Sequence, residues 1–513
     1  VTSADAPAPW WRDAVVYQIY PRSFADTDGD GIGDLGGIAA HLDHLAWLGV
    51  DAVWLSPVYP SPMADAGYDV ADYCDVDPLF GTLADLDALV AAAHDRGLKV
   101  LLDWVPNHTS DQHPWFVESR SSRTSPKRDW YVWHDVGPDG ELPNNWLSAF
   151  TDGAPAWTVD EATGQCYLHQ FLPQQPDLNW DHPDVVAAMH DTLRFWLDRG
   201  VDGFRVDVVH GLGRDLDRDD PPELAGLPHC SLNDSERTHP LIEGIRRVID
   251  EYPDRLLLGE VFLLSTERMA RYVRPGELHL AFNFPFPFAP WDAAALRERI
   301  ERTHAEHDPI GAWPTWVLSN HDLARHRTRY GGSEARARAA AVLLLTLRGT
   351  PFVYQGEELG LEDAVVAPQA RVDPGGRDGC RAPLPWTTAD GHGWPATPWL
   401  PFPPQAAAHS AEAQQADEAS ILHLYRRLLA LRHEEAALRR GTFTWLPEVP
   451  DGVLGYERAV GDDRWWVLVS AADATRSVAL PGPADVVVAS DGATGPFTGV
   501  VRPDQGLVLR PRA

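Results

Sequence analysis

A chain of 513 residues with 44% hydrophobic and 10% aromatic side chains is globular and long enough for two or three domains with large cores. Its formal charge of -32 repels phosphate backbones and anionic lipid surfaces, which disfavours nucleic-acid and membrane partners and leaves a neutral substrate unaffected. The 21 tryptophans and 44 prolines lean towards carbohydrate-handling proteins.

Lys99 and Lys127 are the only lysines, which reads as genome base composition, with salt tolerance as the less favoured reading. Cys74, Cys166, Cys230 and Cys380 are scattered without a C-x-x-C or metal spacing and read as reduced structural thiols. The opening VTSADAPAPWW lacks a basic segment followed by an apolar core, and no run approaches ~18 apolar residues. Neither a signal peptide nor a membrane span is expected, and the expected location is cytoplasmic unless a leader precedes these residues.

In chain order, the first apolar run, VVYQIYP (15–21), leads into DTDGDGIGD (26–34). Asp26, Asp28, Asp30 and Asp34 fall at positions one, three, five and nine of a calcium-loop pattern. Gly31 takes the tight sixth position, and Ile32 offers its carbonyl at the seventh. The twelfth position, where a sensor carries Glu, is Gly37, and a strand rather than a helix precedes the loop. A structural Ca2+ (or Mg2+) loop is expected, against the alternative of an empty acidic turn.

Further short runs compatible with strands buried on both faces follow. They are AVWLSP (52–57), KVLLDWV (99–105), GFRVDVV (203–209), LLLGEVF (256–262), HLAFNF (279–284), TWVLSNHD (315–322) and PFVYQGEE (351–358). Amphipathic helical patterns separate them, such as GGIAAHLDHLAWLG, LADLDALVAAAHDRG and VVAAMHDTLRFWLDRG, several stopped by Gly. Eight strand and helix alternations predict a (β/α)8 TIM barrel. Residues 1–106 read as its first part, and 107–172 as an inserted, irregular, aromatic-rich subdomain. Residues 173–440 read as the second part, with a long Pro- and Gly-rich loop at 360–415, and 441–513 as a C-terminal antiparallel β-sandwich expected to be structural.

Polar residues at the carboxyl ends of barrel strands face the mouth, so those ends carry the chemistry. Asp207 follows Arg205 on the fourth run, Glu260 ends the fifth, His321 and Asp322 end the seventh, and the third leads to Asn107 and His108. One carboxylate among 75 acidic residues is ordinarily a solvated surface group, but three at equivalent strand ends between apolar residues need partners or a function. Glycoside cleavage fits: one carboxylate attacks the anomeric carbon and one carboxylic acid protonates the leaving oxygen. Arg205 is expected to lower the pKa of Asp207, and an apolar setting with a neighbouring carboxylate to raise that of Glu260.

DWVPNH (103–108), GFRVDVVH (203–210), GEVF (259–262) and LSNHD (318–322) resemble, in order and spacing, the four signature regions of the α-amylase superfamily, glycoside hydrolase family thirteen. The resemblance spans the whole chain. It implies Asp207 as nucleophile, Glu260 as general acid/base and Asp322 as the third carboxylate, with Arg205, His108 and His321 orienting the nucleophile or binding hydroxyls in the innermost sugar subsite. QPDLN (175–179) is similar to the fifth signature of the exo-acting α-glucosidase and oligo-1,6-glucosidase branch. That branch implies a terminal glucose bound by Asp65 and Arg377, stacked on Tyr68 and walled by Phe150 and Phe171. Taken singly, each aromatic reads as core packing. Exo-acting members often hold a Ca2+ or Mg2+ in the first loop.

The resemblance implies a retaining exo-α-glucosidase acting on short oligosaccharides, as a monomer or homodimer with no organic cofactor. Val208, after the nucleophile, leans towards α-1,6 or mixed linkages, while the surrounding GFRVDVVHGLG resembles α-glucosidases that also use maltose. A glucosyltransferase, trehalose synthase or sucrose-active isomerase shares all four motifs. A carbohydrate-binding protein or a transporter heavy subunit is disfavoured by the intact carboxylates and the missing span.

Overall fold

Each of the eight apolar runs supplies one parallel strand in the computed structural model, which describes residues 8–228 and 234–512. We number them β1 (Val16–Ile19), β2 (Ala52–Leu55), β3 (Lys99–Trp104), β4 (Gly203–Val206), β5 (Leu256–Gly259), β6 (Leu280–Ala281), β7 (Thr315–Val317) and β8 (Thr350–Tyr354). Their ladder runs β7-β8-β1-β2-β3-β4-β5-β6. Across the remaining seam, between β6 and β7, the Thr315 hydroxyl donates to the carbonyl of Ala281 (2.6 Å). The fold is a TIM barrel.

Strand geometry decides which side chains reach the interior, because successive residues point to opposite faces. Val15, Tyr17 and Ile19 pack outward with Val53, Leu55, Val100, Leu102, Phe204 and Leu257 against the helices. Val16, Trp54, Leu101, Leu256, Leu258 and Phe352 fill the barrel. The same parity puts Asp103, Arg205, Asp207 and Glu260 on the inward face above that filling. Register then makes neighbours of them: Asp103 on β3 pairs with Arg205 on β4, and Val206 with Gly259.

Helices begin where side chains satisfy the first backbone N–H groups. Thr82 and Asp85 form a reciprocal capping box ahead of Leu83–His94. The first helical pattern, read as continuous, is two helices, Leu35–Ala40 and Leu42–Leu48, that meet at His41. The His41 ring lies on Trp386 (3.7 Å between centroids), and its Nδ1 is 2.8 Å from the carbonyl of Gly37. A tertiary contact from the long loop thus accompanies the break.

The stretch after β3, expected to be irregular, holds a three-stranded antiparallel sheet in the order Trp133–Asp135, Gln165–Leu168, Trp157–Asp160, and a helix, Pro114–Arg120. Strands of three or four residues fall below what alternation reveals in a sequence. Beyond Gly441 a six-stranded antiparallel sheet and a two-stranded sheet form the terminal β-domain. It docks on the barrel through the helix Glu334–Thr346, where the Thr346 hydroxyl is 2.6 Å from that of Tyr456. Cys74, Cys166 and Cys380 are free, and Cys230 lies outside the described residues. No helix among the described residues is long and apolar enough to cross a membrane.

Candidate active site

Arg205 is 1% exposed and shares its guanidinium among three carboxyl groups. Nη1 donates to Asp103 Oδ1 (2.7 Å) and Asp207 Oδ1 (2.6 Å), and Nη2 donates to Glu260 Oε2 (2.6 Å). One positive charge faces three groups that would each be negative, in a site from which burial removes water. Burial and mutual repulsion resist full ionisation of Asp103 and Asp207 together, and their titration belongs to the pair rather than to one member. Burial pushes Asp103 up to about 6 against the pull of Arg205. Asp207 is pushed well above the usual carboxylate range by burial, with Glu260 and Asp103 adding to it. The expected lowering of Asp207 by Arg205 is therefore overturned in the free enzyme: the guanidinium does pull down, but desolvation and the neighbouring carboxyls outweigh it.

Two backbone features aim this cluster. Val208 sits in the left-handed region (φ 37°, ψ 41°), a conformation that costs a β-branched residue on the order of 1–3 kcal/mol. The turn directs the Val208 N–H to Glu260 Oε2 (3.2 Å). Before Glu260, a Cβ on Gly259 would stand 2.3 Å from the end of the Leu278 side chain, which would have to move aside.

The second half of the site is an ion-pair lattice. Arg377 donates through Nη2 to Asp65 Oδ1 (2.7 Å) and through Nη1 to Asp322 Oδ1 (2.8 Å). Arg381 Nη2 also reaches Asp322 Oδ1 (3.0 Å). Burial resists ionisation of Asp322, yet His321, Arg377 and Arg381 together hold its pKa below the usual carboxylate range. Asp65 is raised by burial despite Arg377. The Arg377 guanidinium lies over the Phe150 ring (4.4 Å), and Phe150 and Phe171 stand 5.9 Å apart.

These groups surround a cavity of about 340 Å³, lined by Asp65, Tyr68, His108, Phe150, Phe171, Asp207, Glu260, Asp322 and Arg377 among others. Nine of the eleven side chains singled out in the sequence as catalytic or substrate-binding thus meet at one wall. The other two, Arg205 and His321, lie behind it, 1% and 0% exposed. The His321 ring stacks parallel to Tyr68 (5.4 Å), with Nε2 2.6 Å from its hydroxyl and 3.1 Å from Asp322 Oδ2. Its place is therefore beneath Tyr68 and Asp322 rather than on the cavity surface. Burial lowers His108 to about 3 and His321 to about 3, so both rings are neutral at neutral pH.

Four contributors were missed in the sequence. Asp103 joins the Arg205 cluster, and Gln175 donates to Asp65 Oδ2 (3.1 Å) while lying 3.0 Å from His108 Nε2. Asp373 accepts from Arg377 Nη2 (2.6 Å) and Arg381 Nη1 (3.2 Å) and is 2% exposed at its side chain. Arg381 is the fourth. For Asp103 a signal existed, since a carboxylate inside LLDWV meets the same test of apolar flanks. Asp373 and Arg381 sit in an irregular loop that carries no periodicity.

The acidic loop after β1 gathers Asp26, Asp28 and Asp34, whose ligand oxygens lie within 4.8 Å of one another. Asp30 does not join them, and its Oδ1 accepts from the Ile32 N–H (2.7 Å). Asp26 accepts from the N–H groups of Gly29 (2.8 Å) and Gly31 (2.9 Å). Asp34 caps the helix Leu35–Ala40 through Gly37 (2.6 Å). Asp26 and Asp34 are each 6% exposed, and among the described residues neither meets an arginine or lysine. Buried carboxylates without a cation, presenting hard oxygen donors, suit a hard divalent ion.

A barrel with paired carboxylates at the ends of β4 and β5 and a third beyond β7 defines a class, and the chain belongs to the α-amylase family of glycoside hydrolases: the family's catalytic-domain description, Alpha amylase, matches residues 18–441. The chain is 44% identical over 506 residues to a probable alpha-glucosidase of Rhizobium meliloti (strain 1021), covering 92% of this chain and 91% of that one. It is 36% identical over 521 residues to an oligo-1,6-glucosidase of Parageobacillus thermoglucosidasius, covering 92% of each. Among solved structures it is similar to the alpha-glucosyl transfer enzyme XgtA (TM-score 0.90, 41% identity, 99% of this chain and 100% of that one). It is also similar to the trehalulose synthase MutB from Pseudomonas mesoacidophila MX-45 (TM-score 0.92, 34% identity, 98% and 100%).

Proposed function

We propose that the protein is a retaining exo-α-glucosidase that removes terminal α-linked glucose from short oligosaccharides. The observation that carries this reading is the bond between Arg377 and Asp65, both lining the same cavity as Asp207 and Glu260, which supports a pocket for a chain terminus. Asp207 is the nucleophile, Glu260 the acid/base, and Asp322 the group that grips hydroxyls of the distorted ring. Arg205 spans Asp207 and Glu260 and keeps them close, as the retaining spacing of about 5 Å requires.

In the first step Asp207 attacks the anomeric carbon as Glu260, acting as general acid, protonates the leaving oxygen. In the second, Glu260 takes a proton from water, which displaces Asp207 and releases α-glucose. A sugar hydroxyl in place of water gives transglucosylation. Neutral His108 and the Asp65, Arg377 and Asp322 lattice bind the terminal glucose, with Tyr68, Phe150 and Phe171 as apolar walls. Asp26, Asp28 and Asp34, with the Ile32 carbonyl, hold a structural Ca2+ or Mg2+ that offsets their charge and ties down the first loop.

Mass spectrometry of enzyme trapped with a slow fluoro-glucoside tests the assignment. A hexose on the Asp207 peptide supports it, and label elsewhere sinks it. Rates on maltose, isomaltose, kojibiose, sucrose and trehalose under one set of conditions fix the linkage. Val208 supports acceptance of α-1,6 bonds, and comparable turnover of sucrose would favour an isomerase of the same family.

A further inference from the structure

Gln18 lies on the inward face of β1, two residues beyond Val16 in the barrel filling, and is 1% exposed. It sits beneath the cavity rather than on its wall. The Gln18 amide nitrogen stands 2.7 Å from His321 Nδ1 and donates to Ser56 Oγ (3.3 Å). On the far side of the ring, His321 Nε2 faces the Tyr68 hydroxyl (2.6 Å) and Asp322 Oδ2 (3.1 Å). Aromatic neighbours hold the ring in its plane. Tyr20 and Tyr68 stack on it at 6.0 and 5.4 Å, and Trp54 meets it edge to face at 6.0 Å.

Fixed charges decide where the single hydrogen of this neutral ring lies. Arg377 and Arg381 both donate to Asp322 Oδ1, so Asp322 is ionised and its Oδ2 can only accept. His321 Nε2 therefore carries the hydrogen, and Nδ1 is left with the lone pair. A lone pair buried there needs a donor, and the Gln18 amide supplies it. The direction then passes on. The Tyr68 oxygen accepts from His321 Nε2, and its own hydrogen goes to Asp103 Oδ2 (2.9 Å), which also accepts from Trp54 Nε1 (3.3 Å). In the other tautomer a bare Nε2 would face the Asp322 carboxylate and would draw the Tyr68 hydrogen away from Asp103.

We propose that Gln18 is a positioning residue: it locks His321 in the tautomer with hydrogen on Nε2, and thereby orients Tyr68 and Asp322 in the glucose pocket and the bond to Asp103 beneath it. Gln18 acts through the ring and touches no substrate. This rests on the α-glucosidase reading above.

A double-mutant cycle of Gln18→Met and Tyr68→Phe, read as kcat/KM on maltose, tests the proposal. Methionine nearly matches glutamine in volume and cannot donate. Gln18→Met alone is expected to lower kcat/KM about tenfold, the worth of one buried hydrogen bond. Gln18 and Tyr68 are linked through His321, so in the Tyr68→Phe background the same change is expected to cost only about threefold, the part that acts through Asp322. Local structural damage would cost the same in both backgrounds.

Gln18→Glu gives a second reading, because its carboxylate accepts only and draws a hydrogen onto Nδ1. Nε2 then keeps its hydrogen only while the ring is a cation. The ring faces Asp322, Arg205, Arg377 and Arg381 and the buried phenols of Tyr20 and Tyr68, in wild type and variant alike. As pH rises and the ring loses its charge, Nε2 is bared, so the alkaline fall of kcat/KM is expected at lower pH in Gln18→Glu than in the wild type. An equal cost of Gln18→Met in both backgrounds, or a Gln18→Glu pH profile parallel to the wild type, overturns this inference and leaves the glucosidase reading standing. If Gln18→Glu does not fold, the cycle decides alone. Absence of glucose release from every α-glucoside by the wild type overturns both.

Discussion

Arg377 Nη2 stands 2.7 Å from Asp65 Oδ1, a bond between residues 312 positions apart that joins the loop after β8 to the loop after β2. Both side chains are nearly buried, at 10% and 5% exposure, so removing Arg377 leaves Asp65 without its cation in low dielectric. Arg377→Ala is expected to lower kcat/KM on maltose by about a hundredfold, mostly through KM, and to destabilise the fold by about 3 kcal/mol. Steady-state kinetics with a denaturant melt checks both, and an unchanged KM would remove Arg377 from glucose binding.

Asp207→Asn and Glu260→Gln are each expected to cost several orders of magnitude in kcat, because neither amide can attack the anomeric carbon or pass a proton. Asp207→Asn should also abolish labelling by the slow fluoro-glucoside. Either variant retaining near-normal turnover would reassign the roles.

Asp373 holds Arg377 and Arg381 from their own loop without lining the cavity. It is a positioning residue. Asp373→Asn is expected to raise KM about tenfold with a smaller change in kcat, since the carboxylate's charge-assisted bonds are worth roughly 1.5–3 kcal/mol. Asp373→Glu should recover part of the loss, and a fall in kcat alone would point to a different role.

Glu357 and Glu358 are fully buried behind β8, each accepting one phenolic hydrogen bond, from Tyr425 (3.0 Å) and Tyr17 (2.8 Å) respectively. Burial raises Glu357 to about 8 and Glu358 to about 7. Their folded values lie above the unfolded value near ~4.3, so between those limits the folded state holds more protons than the unfolded one. Stability therefore falls as pH climbs through that window and levels off on either side. Glu357→Gln should remove up to about 1.4 kcal/mol per pH unit of that slope. Melts between pH 5 and 8.5 should show the variant gaining on the wild type as pH rises, and parallel curves would contradict it.

Chelation is expected to lower Tm by several degrees, with added Ca2+ restoring it, because three carboxylates held within 4.8 Å repel one another without a cation. Asp26→Ala should have a lower Tm than the wild type and no response to chelator. A chelator that leaves the wild-type Tm unchanged would favour an empty acidic turn.

Much of the barrel was legible in the sequence, because buried parallel strands must be apolar for several residues and the loops between them must not be. Period-two geometry also made the inward carboxylates readable, since Leu258 inside the barrel fixes the direction of Glu260. The insertion's short strands and the split at His41 were not legible, the first for want of length and the second because its contact, Trp386, is distant in sequence.

The sequence by itself determined the barrel strands, the family and the inward-facing Arg205, Asp207 and Glu260, all of which follow from local patterns that packing only ratifies. Tertiary structure alone decided that one guanidinium serves Asp103, Asp207 and Glu260, that Asp373 anchors Arg377, and that Asp207 is raised rather than lowered in the free enzyme. Those outcomes depend on how much water is excluded and on how many charges share the space. Both are sums over residues far apart in the chain, and no local stretch contains them.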